Sequence, residues 1–259
     1  MLRKMKDLKG FSIGARDGDI GEANDFIFDD KKWTVRYLVA DTNRWLPGRK
    51  VLISPIVVDQ ADWEGKRLPV LLTQEQVKNS PDINLNEELS AQDEVRYYNY
   101  YGFPYYWAGD EIWGPVTMPR DLIAESIDQK IALTEEVNQS HLRSMKDVTE
   151  YSIQATDGEI GQVDDFIVDD DAWTIRYMVV DTGNWLPGKK ILVAPRWIAT
   201  VDWKNSNVYV NLSREAIKSG PEFNPNKLDR EYETLSSLNT MARKITGDVD
   251  AVEAGKLGH

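Results

Sequence analysis

Short runs of alternating apolar and polar residues, separated by turn residues, make up most of the first third of the chain. In residues 33–40, successive side chains point to opposite faces of an extended chain, with Tyr37 on one face and Arg36 and Leu38 on the other. Because apolar side chains occur on both faces, we expect this strand to lie in a closed or covered sheet. Further strands are predicted at residues 11–15, 20–28, 50–54 and 67–72. Strands this short and closely spaced indicate a small barrel or sandwich.

Helices are predicted at only three places before the middle of the chain. Thr73 is a suitable N-cap for a helix of one or two turns over residues 73–79. Ser90, followed by Asp93, predicts a second short helix that ends near residue 98. A third helix is expected between residues 121 and 136, inside an otherwise polar and acidic stretch.

The sequence of residues 25–55 occurs a second time at residues 165–195, and the alignment needs no gap. The same offset of 140 positions holds from Met5 and Met145 to Pro81 and Pro221. A repeat of this kind predicts two units with the same fold, each of about six strands and related by an approximate two-fold axis. We therefore divide the chain into a first barrel, a connector, a second barrel and a tail, at residues 1–90, 91–140, 141–232 and 233–259.

The charge balance disfavours two classes of partner. The formal net charge is -12, whereas nucleic-acid binding depends on lysine and arginine that displace counterions. Anionic membrane surfaces likewise need clustered positive charge. No cysteine is present, and no run approaches the roughly 18 apolar residues of a membrane-spanning helix or resembles a signal peptide. A cytoplasmic protein with no nucleic-acid partner and no integral membrane segment is expected.

Residues suited to catalysis are scarce in the repeated part of the chain. Enzyme chemistry at neutral pH most often uses histidine, and the two histidines, His141 and His259, lie at the end of the connector and at the last residue. Positions identical in both repeats are mostly glycine, proline, tryptophan, turn aspartates and apolar strand residues, as a shared backbone requires. We therefore expect no enzymatic activity, no catalytic residues and no cofactor.

Repeated aspartates are the candidate ligands for a hard cation, since calcium takes six to eight oxygen atoms. The alternative is turn chemistry, in which aspartate bonds its own backbone, and no regular calcium-loop motif is present. Arg36 and Arg176 are expected to pair with an aspartate across the ladder, with Asp25 and Asp165 available. The candidate metal ligands are Asp25, Asp29, Asp30, Asp165, Asp169 and Asp170.

An aromatic passage at residues 97–107 follows the first repeat and has no equivalent after the second. Base stacking usually needs a positively charged groove, and only Arg96 is near, so burial between barrels or between subunits is favoured over a ligand platform. The passage is predicted to hold two barrels or two chains together. Its candidate interface residues are Tyr100, Tyr101, Phe103, Tyr105, Tyr106 and Trp107.

The motif order G-x-S-I, D-G-x-I-G, D-F-I, W-T-x-R-Y, D-T and W-L-P-G-x-K resembles the PRC-barrel family in both repeats. That family is named for a β-barrel shared by the H subunit of purple-bacterial reaction centres and the RimM-type ribosome-maturation factor. The sequence is most similar to stand-alone members, in which a Y-Y-G-x-P-Y-Y-W passage like that at residues 100–107 also follows the barrel. The resemblance implies a barrel fold and an adaptor role, and it supplies no catalytic residues. The H subunit's membrane helix and the ribosome factor's separate N-terminal domain have no counterpart here, so neither function transfers by fold alone.

Three functions are compatible with these observations. The leading hypothesis is a non-enzymatic interaction or assembly module that acts through protein partners or self-association. The first alternative is a small-ligand or divalent-cation sensor that uses the repeated aspartates. The second alternative is a peripheral component of a photosynthetic reaction-centre-type membrane complex.

Overall fold

The protein is mainly β, with few and short helices. The structure, a computed structural model, describes residues 1–42, 45–85, 87–124, 141–183, 185–219, 223–225 and 228. The predicted C-terminal tail, residues 233–259, and most of the predicted helix at residues 121–136 lie outside this part of the chain. No helix among the described residues is long and apolar enough to cross a membrane.

The first repeat contains six strands, two α-helices and one 3-10 helix in the described part. Its strands are β1 (Leu2–Lys4), β2 (Ser12–Ala15), β3 (Gly18–Asp29), β4 (Thr34–Asp41), β5 (Lys50–Ile53) and β6 (Arg67–Pro69). Its helices are α1 (Met5–Leu8), the 3-10 helix Pro55–Val57 and α2 (Gln74–Lys78). The connector then forms α3 (Ala91–Tyr101) and α4 (Pro119–Ala124).

The second repeat has the same elements in the same order, with one additional strand. Its strands are β7 (Leu142–Ser144), β8 (Ser152–Ala155), β9 (Gly158–Asp169), β10 (Thr174–Asp181), β11 (Lys190–Val193), β12 (Ile198–Asp202) and β13 (Asn207–Val210). Its helices are α5 (Met145–Val148), the 3-10 helix Pro195–Trp197 and α6 (Arg214–Lys218). In the first repeat, the counterpart of the β12–β13 pairing is reduced to the isolated bridges Val58–Val70 and Asp62–Arg67.

The thirteen strands of the described residues belong to one mixed sheet that runs through both repeats. Nine of them follow the order β12-β13-β8-β9-β10-β4-β3-β2-β6, and β1, β5, β7 and β11 pair with β9, β4, β3 and β10, respectively. Within each repeat, a long antiparallel pair, β3–β4 or β9–β10, is flanked by a parallel pair, β2–β6 or β8–β13. The pairings of the described residues form an open sheet across both repeats and do not by themselves close two separate barrels. Residues 34–40 of β4 are all buried, as the apolar positions on both faces predict.

The first strand of each repeat pairs with the other repeat. Strand β1 lies antiparallel to β9, with Lys4 opposite Ile167, and β7 lies antiparallel to β3, with Ser144 opposite Ile27. The repeats therefore exchange their N-terminal strands reciprocally. Their apolar cores also merge, because Phe28 and Phe166 pack with ring centroids 5.8 Å apart.

Two tryptophans with left-handed backbone form the junction between the long strand pairs. Trp33 (φ 49°) and Trp173 (φ 57°) each end the turn before the next strand, a conformation that is costly for a bulky residue. This geometry aims the carbonyl of Trp173 at the amide of Val35 (2.8 Å) and the carbonyl of Trp33 at the amide of Ile175 (2.7 Å). The strained turn thus provides the reciprocal backbone contact that joins β4 to β10.

The second glycine of the repeated D-G-x-I-G motif is required by close backbone approach. A Cβ atom on Gly21 or on Gly161 would lie 2.0 Å from the carbonyl oxygen of Asp41 or Asp181, respectively. Both glycines also have positive φ angles, 156° and 141°, which residues with a side chain rarely adopt. The motif is therefore conserved between the repeats for backbone reasons.

Helices begin where the capping residues predict. Thr73 caps α2 in a reciprocal capping box with Gln76, and Ser90 caps α3 in the same way with Asp93. Helix α3 ends at Gly102, which adopts the left-handed conformation typical of a C-terminal glycine. This helix places the aromatic passage against the first repeat.

Candidate functional site

Two of the candidate aspartates bind the exchanged segment of the opposite repeat. Asp25 accepts hydrogen bonds from the Ser144 hydroxyl (2.6 Å) and from the Lys146 amide (3.1 Å). Asp165 accepts one from the Lys6 amide (3.1 Å), the counterpart of Lys146. Burial raises the pKa of Asp165 to about 6, against the lowering effect of its backbone hydrogen bonds. Each carboxylate therefore accepts a hydrogen bond from a backbone amide in the first turn of a short helix, α5 for Asp25 and α1 for Asp165.

A second pair of candidate aspartates forms ion pairs with the same exchanged strands. Asp30 lies 3.1 Å from Arg143 and 3.5 Å from His141. Asp170 lies 3.0 Å from Arg3 and also contacts the N-terminal ammonium group. Burial raises the pKa of Asp30, although Arg143 opposes the shift. The Asp30–Arg143 and Asp170–Arg3 ion pairs each link one repeat to the other.

The third pair holds the strand arginines, but with partners that differ from the predicted ones. Arg36 pairs with Asp29 at 3.0 Å, and Arg176 pairs with Asp169 at 2.8 Å. The expectation that Asp25 and Asp165 would be the partners is wrong, because those two face the exchanged segments. Register shifts fall at Arg36 in β4 and at Arg176 in β10, so simple alternation does not identify the residue opposite each arginine.

Three carboxylates lie close enough together to suggest a cation site. One oxygen from each of Asp169, Asp170 and Asp171 falls within 4.8 Å of the others. Each already has a cationic partner, however. These partners are Arg176 for Asp169, Arg3 for Asp170, and the N-terminal ammonium (3.4 Å) together with Arg120 (3.8 Å) for Asp171. A metal ion would have to displace several of these positive charges.

The six aromatic candidates form one continuous cluster together with Tyr98, whose ring contacts both Phe103 and Tyr105, at the end of α3 and in the loop that follows. Tyr101 and Phe103 stack with ring centroids 5.1 Å apart, and Tyr105 and Trp107 stack at 4.7 Å. Tyr106 is buried, whereas Tyr100, Tyr101, Phe103, Tyr105 and Trp107 are partly or well exposed. The hydroxyl of Tyr100 donates to the Gln76 carbonyl (2.8 Å), so this end of the cluster rests on the first repeat.

Glu94 is a buried acid of α3 that contacts this cluster through Tyr106, and it was not predicted from the sequence. The hydroxyl groups of Tyr37 and Tyr106 both donate to its carboxylate at 2.8 Å. Burial raises the pKa of Glu94 to about 7, and the two tyrosine hydrogen bonds and Arg36 oppose that shift. Its position on α3, three and four residues before the buried Tyr97 and Tyr98, is the signal that indicates an inward-facing acid.

We expect the stability contributed by Glu94 to depend on pH near neutrality. Because its folded-state pKa lies above the ordinary 4.5, protonation stabilises the folded state, and this stabilisation is lost as the pH rises through about 7. From about pH 8 to pH 5, wild type should gain about 2 to 3 kcal/mol of unfolding free energy relative to Glu94→Gln. Urea denaturation of both proteins at the two pH values measures this difference.

Glu64→Gln is the matched control for that measurement, because Glu64 is exposed in a turn of the first repeat. Its stability should follow wild type at both pH values. If the difference in unfolding free energy between wild type and Glu94→Gln is the same at both pH values, Glu94 does not titrate in this range.

The arginines of the two repeats differ in how they are covered. Over Arg36 lie the rings of Tyr106 (3.9 Å to the centroid) and Trp113 (4.7 Å), and its guanidinium donates to the Ile112 carbonyl at 2.8 Å. The side chain of Arg36 is 0% exposed, whereas that of Arg176 is 37% exposed. Within the described residues, no aromatic ring covers Arg176 as Tyr106 and Trp113 cover Arg36.

Trp113 is the second buried residue that was not predicted from the sequence. It is 0% exposed, and its indole N–H donates to the Ala172 carbonyl (2.9 Å) in the second repeat. The connector therefore reaches the second repeat through Trp113, and through Arg120 near Asp171, beyond the six predicted aromatic residues.

No family model matches the chain, and no curated protein matches it either.

Proposed function

We propose that this chain is a non-enzymatic interaction or assembly module built from two PRC-type barrels. The repeated strand orders β6-β2-β3-β4-β5 and β13-β8-β9-β10-β11 support two units of one fold. Exchanged strands, ion pairs and a merged core support a fixed relation between the units. Such a scaffold presents two related but chemically different surfaces to partners.

The difference between Arg36 and Arg176 is the observation that carries this proposal. The first repeat covers its arginine–aspartate pair with Tyr106, Trp113 and a backbone carbonyl from the connector. The second repeat keeps the same pair at 2.8 Å and leaves 37% of the arginine side chain exposed. Arginine is enriched among the residues that dominate interface energies, and its guanidinium can stack on aromatic rings and bind carboxylates of a partner. The surface around Arg176 is therefore the proposed partner site.

Quantitative affinity capture with wild type and Arg176→Met tests this assignment. Methionine keeps the apolar length of the side chain and removes its cationic hydrogen-bond donors. Partner proteins enriched by wild type should be recovered about tenfold less with Arg176→Met, as expected for an arginine at the centre of an interface. Light scattering of the purified proteins checks whether the partner is a second copy of the chain.

Lys204→Met is the control, because it removes one exposed charge from a turn of the same repeat. It should retain the wild-type partners. Equal recovery by Arg176→Met would place the partner surface elsewhere, and a monomeric wild type that enriches no protein above the background would argue against an interaction module.

The cation-sensor alternative rests on Asp169, Asp170 and Asp171. Since all three already have cationic partners, we expect about 5 mM calcium to shift the melting temperature by less than about 1 °C. Magnesium at the same concentration provides the comparison, and sodium chloride of equal ionic strength provides the control. A rise of several degrees specific to calcium would favour the sensor.

The peripheral role in a photosynthetic complex stays a prediction.

A further inference from the structure

A cavity of about 470 Å³ opens between the two repeats. Residues of β3, β4 and β5 line one side, and residues of β7, α5 and the following segment line the other. Its wall combines apolar groups, among them Leu85, Leu89, Tyr151 and Trp203, with several charged side chains. The cavity volume is within the range of small-molecule sites.

In the second repeat, the positions equivalent to three of the polar residues that line this cavity form a cluster in which one carboxylate lies between two lysines. The two oxygens of Asp164 lie 2.7 Å from the Nζ atoms of Lys6 and Lys190. Burial by itself raises the pKa of Asp164, but the hydrogen bonds from these lysines hold it below its ordinary value. Two lysines at these positions therefore bind one carboxylate.

The first repeat keeps both lysines and lacks the carboxylate. The residues 140 positions away are Asn24 for Asp164, Lys50 for Lys190 and Lys146 for Lys6. All three line the cavity. In the described part of the chain, none of their side-chain nitrogens has a hydrogen bond or an ion pair. The cavity wall of the first repeat thus carries three side-chain donors without partners among the described residues, where the second repeat has a lysine–carboxylate–lysine cluster.

The acids around the cavity are largely engaged elsewhere. Asp25 binds Ser144 and the Lys146 amide, Glu88 pairs with Arg143 at 2.6 Å, and Glu87 accepts from Asn84. Asp147 also lines the cavity. These negative charges disfavour a multiply charged anion such as phosphate and leave a single carboxylate as the better match for the two lysines.

We propose that this cavity binds a small organic carboxylate with an apolar body. The carboxylate supplies the negative charge that Asp164 supplies in the second repeat, and it accepts charge-assisted hydrogen bonds from Lys50 and Lys146 and an amide hydrogen bond from Asn24. The apolar body packs against Leu85, Leu89 and the rings of Tyr151 and Trp203. This assignment is independent of the partner surface at Arg176.

The test is a titration of the full chain with sodium benzoate to about 10 mM, a concentration at which weak binding is measurable. Backbone amide chemical shifts are followed by NMR. Benzoate should shift the amides of Asn24, Lys50 and Lys146 and saturate. Benzamide, which has the same ring without the charge, should bind about tenfold more weakly, as expected for the loss of a charge-assisted hydrogen bond. Acetate, which lacks the apolar body, should also bind more weakly.

Asn24→Asp gives the first repeat the internal carboxylate of the second. It should reduce benzoate affinity at least about tenfold, because the new side chain occupies both lysines. Asp164→Asn is the matched control and should leave binding at the cavity unchanged. If Asn24→Asp folds poorly, Lys50→Gln and Lys146→Gln test the same contacts, with Lys31→Gln as their exposed control.

Saturable benzoate binding that these cavity variants weaken supports the site. The proposal is overturned if wild type shows no saturable shift, or if benzamide binds as well as benzoate. Tighter binding of inorganic phosphate than of benzoate would also overturn it, as would undiminished benzoate binding by folded Asn24→Asp.

Discussion

Replacing Arg36 by methionine is expected to lower the free energy of unfolding by about 3 to 5 kcal/mol, the usual cost of breaking a buried ion pair. The arginine side chain is 0% exposed and its partner Asp29 is 10% exposed. Methionine fills most of the space, so the loss comes mainly from the carboxylate that is left buried without its cation. The hydrogen bond to the Ile112 carbonyl and the contacts with two aromatic rings are lost as well. Urea denaturation measures the change.

The second repeat provides the matched control for this substitution. Arg176→Met breaks the equivalent pair with Asp169, but water reaches 37% of the arginine side chain. The cost should therefore stay below about 1 kcal/mol, as for other exposed pairs. The double variant Arg36→Met, Asp29→Asn should recover part of the loss, because the uncompensated charge is removed. Similar losses for the two single variants would contradict the assigned role of burial.

Replacing Trp113 by alanine is expected to destabilise the protein by about 3 to 5 kcal/mol, the range for a large aromatic residue removed from a packed site. Trp113 has no exposed surface and covers Arg36 on one side. Its indole N–H also bonds the Ala172 carbonyl, which is left buried without that donor. The variant should therefore lose the packing contacts of the buried indole ring, and it should also lose the connector's hydrogen bond to the second repeat. Thermal and urea denaturation report the total effect.

Trp107→Ala is the same substitution at a partly exposed site in the predicted aromatic passage. Trp107 stacks on Tyr105 and packs edge-on against Tyr98, and some of its lost contacts are replaced by water. Its cost should be clearly smaller than that of Trp113→Ala. If Trp107→Ala is the more damaging change, the passage itself and not Trp113 secures the connector.

Much of the local structure follows from the sequence because its signals are local. The alternation in residues 33–40, the N-caps Thr73 and Ser90 and the glycine turns indicated strands and helices at the observed places. The arginine partners were not predictable in the same way. Arg36 and Arg176 are themselves the bulged residues of β4 and β10, and a bulge depends on the whole sheet.

The candidate site was predictable only in part for a related reason. The sequence identified the repeated acids and the aromatic passage by composition. Glu94 and Trp113 were missed because a single acid in a short helix and a single tryptophan in a turn-rich connector have no distinctive pattern. Their importance comes from burial and from partners distant in sequence, such as Tyr37 for Glu94 and Ala172 for Trp113.

By itself, the sequence determined that the protein is mainly β and contains two copies of one unit, because strand periodicity and a gap-free repeat are properties of the chain alone. Only the tertiary structure decided that β1 and β7 are exchanged, that Trp33 and Trp173 join the long strands, and that the copies share one sheet. Two similar repeat sequences are equally compatible with pairing within a copy or between copies. The choice depends on which long-range contacts bury the most apolar surface and satisfy the most backbone groups, and only the folded chain contains that information.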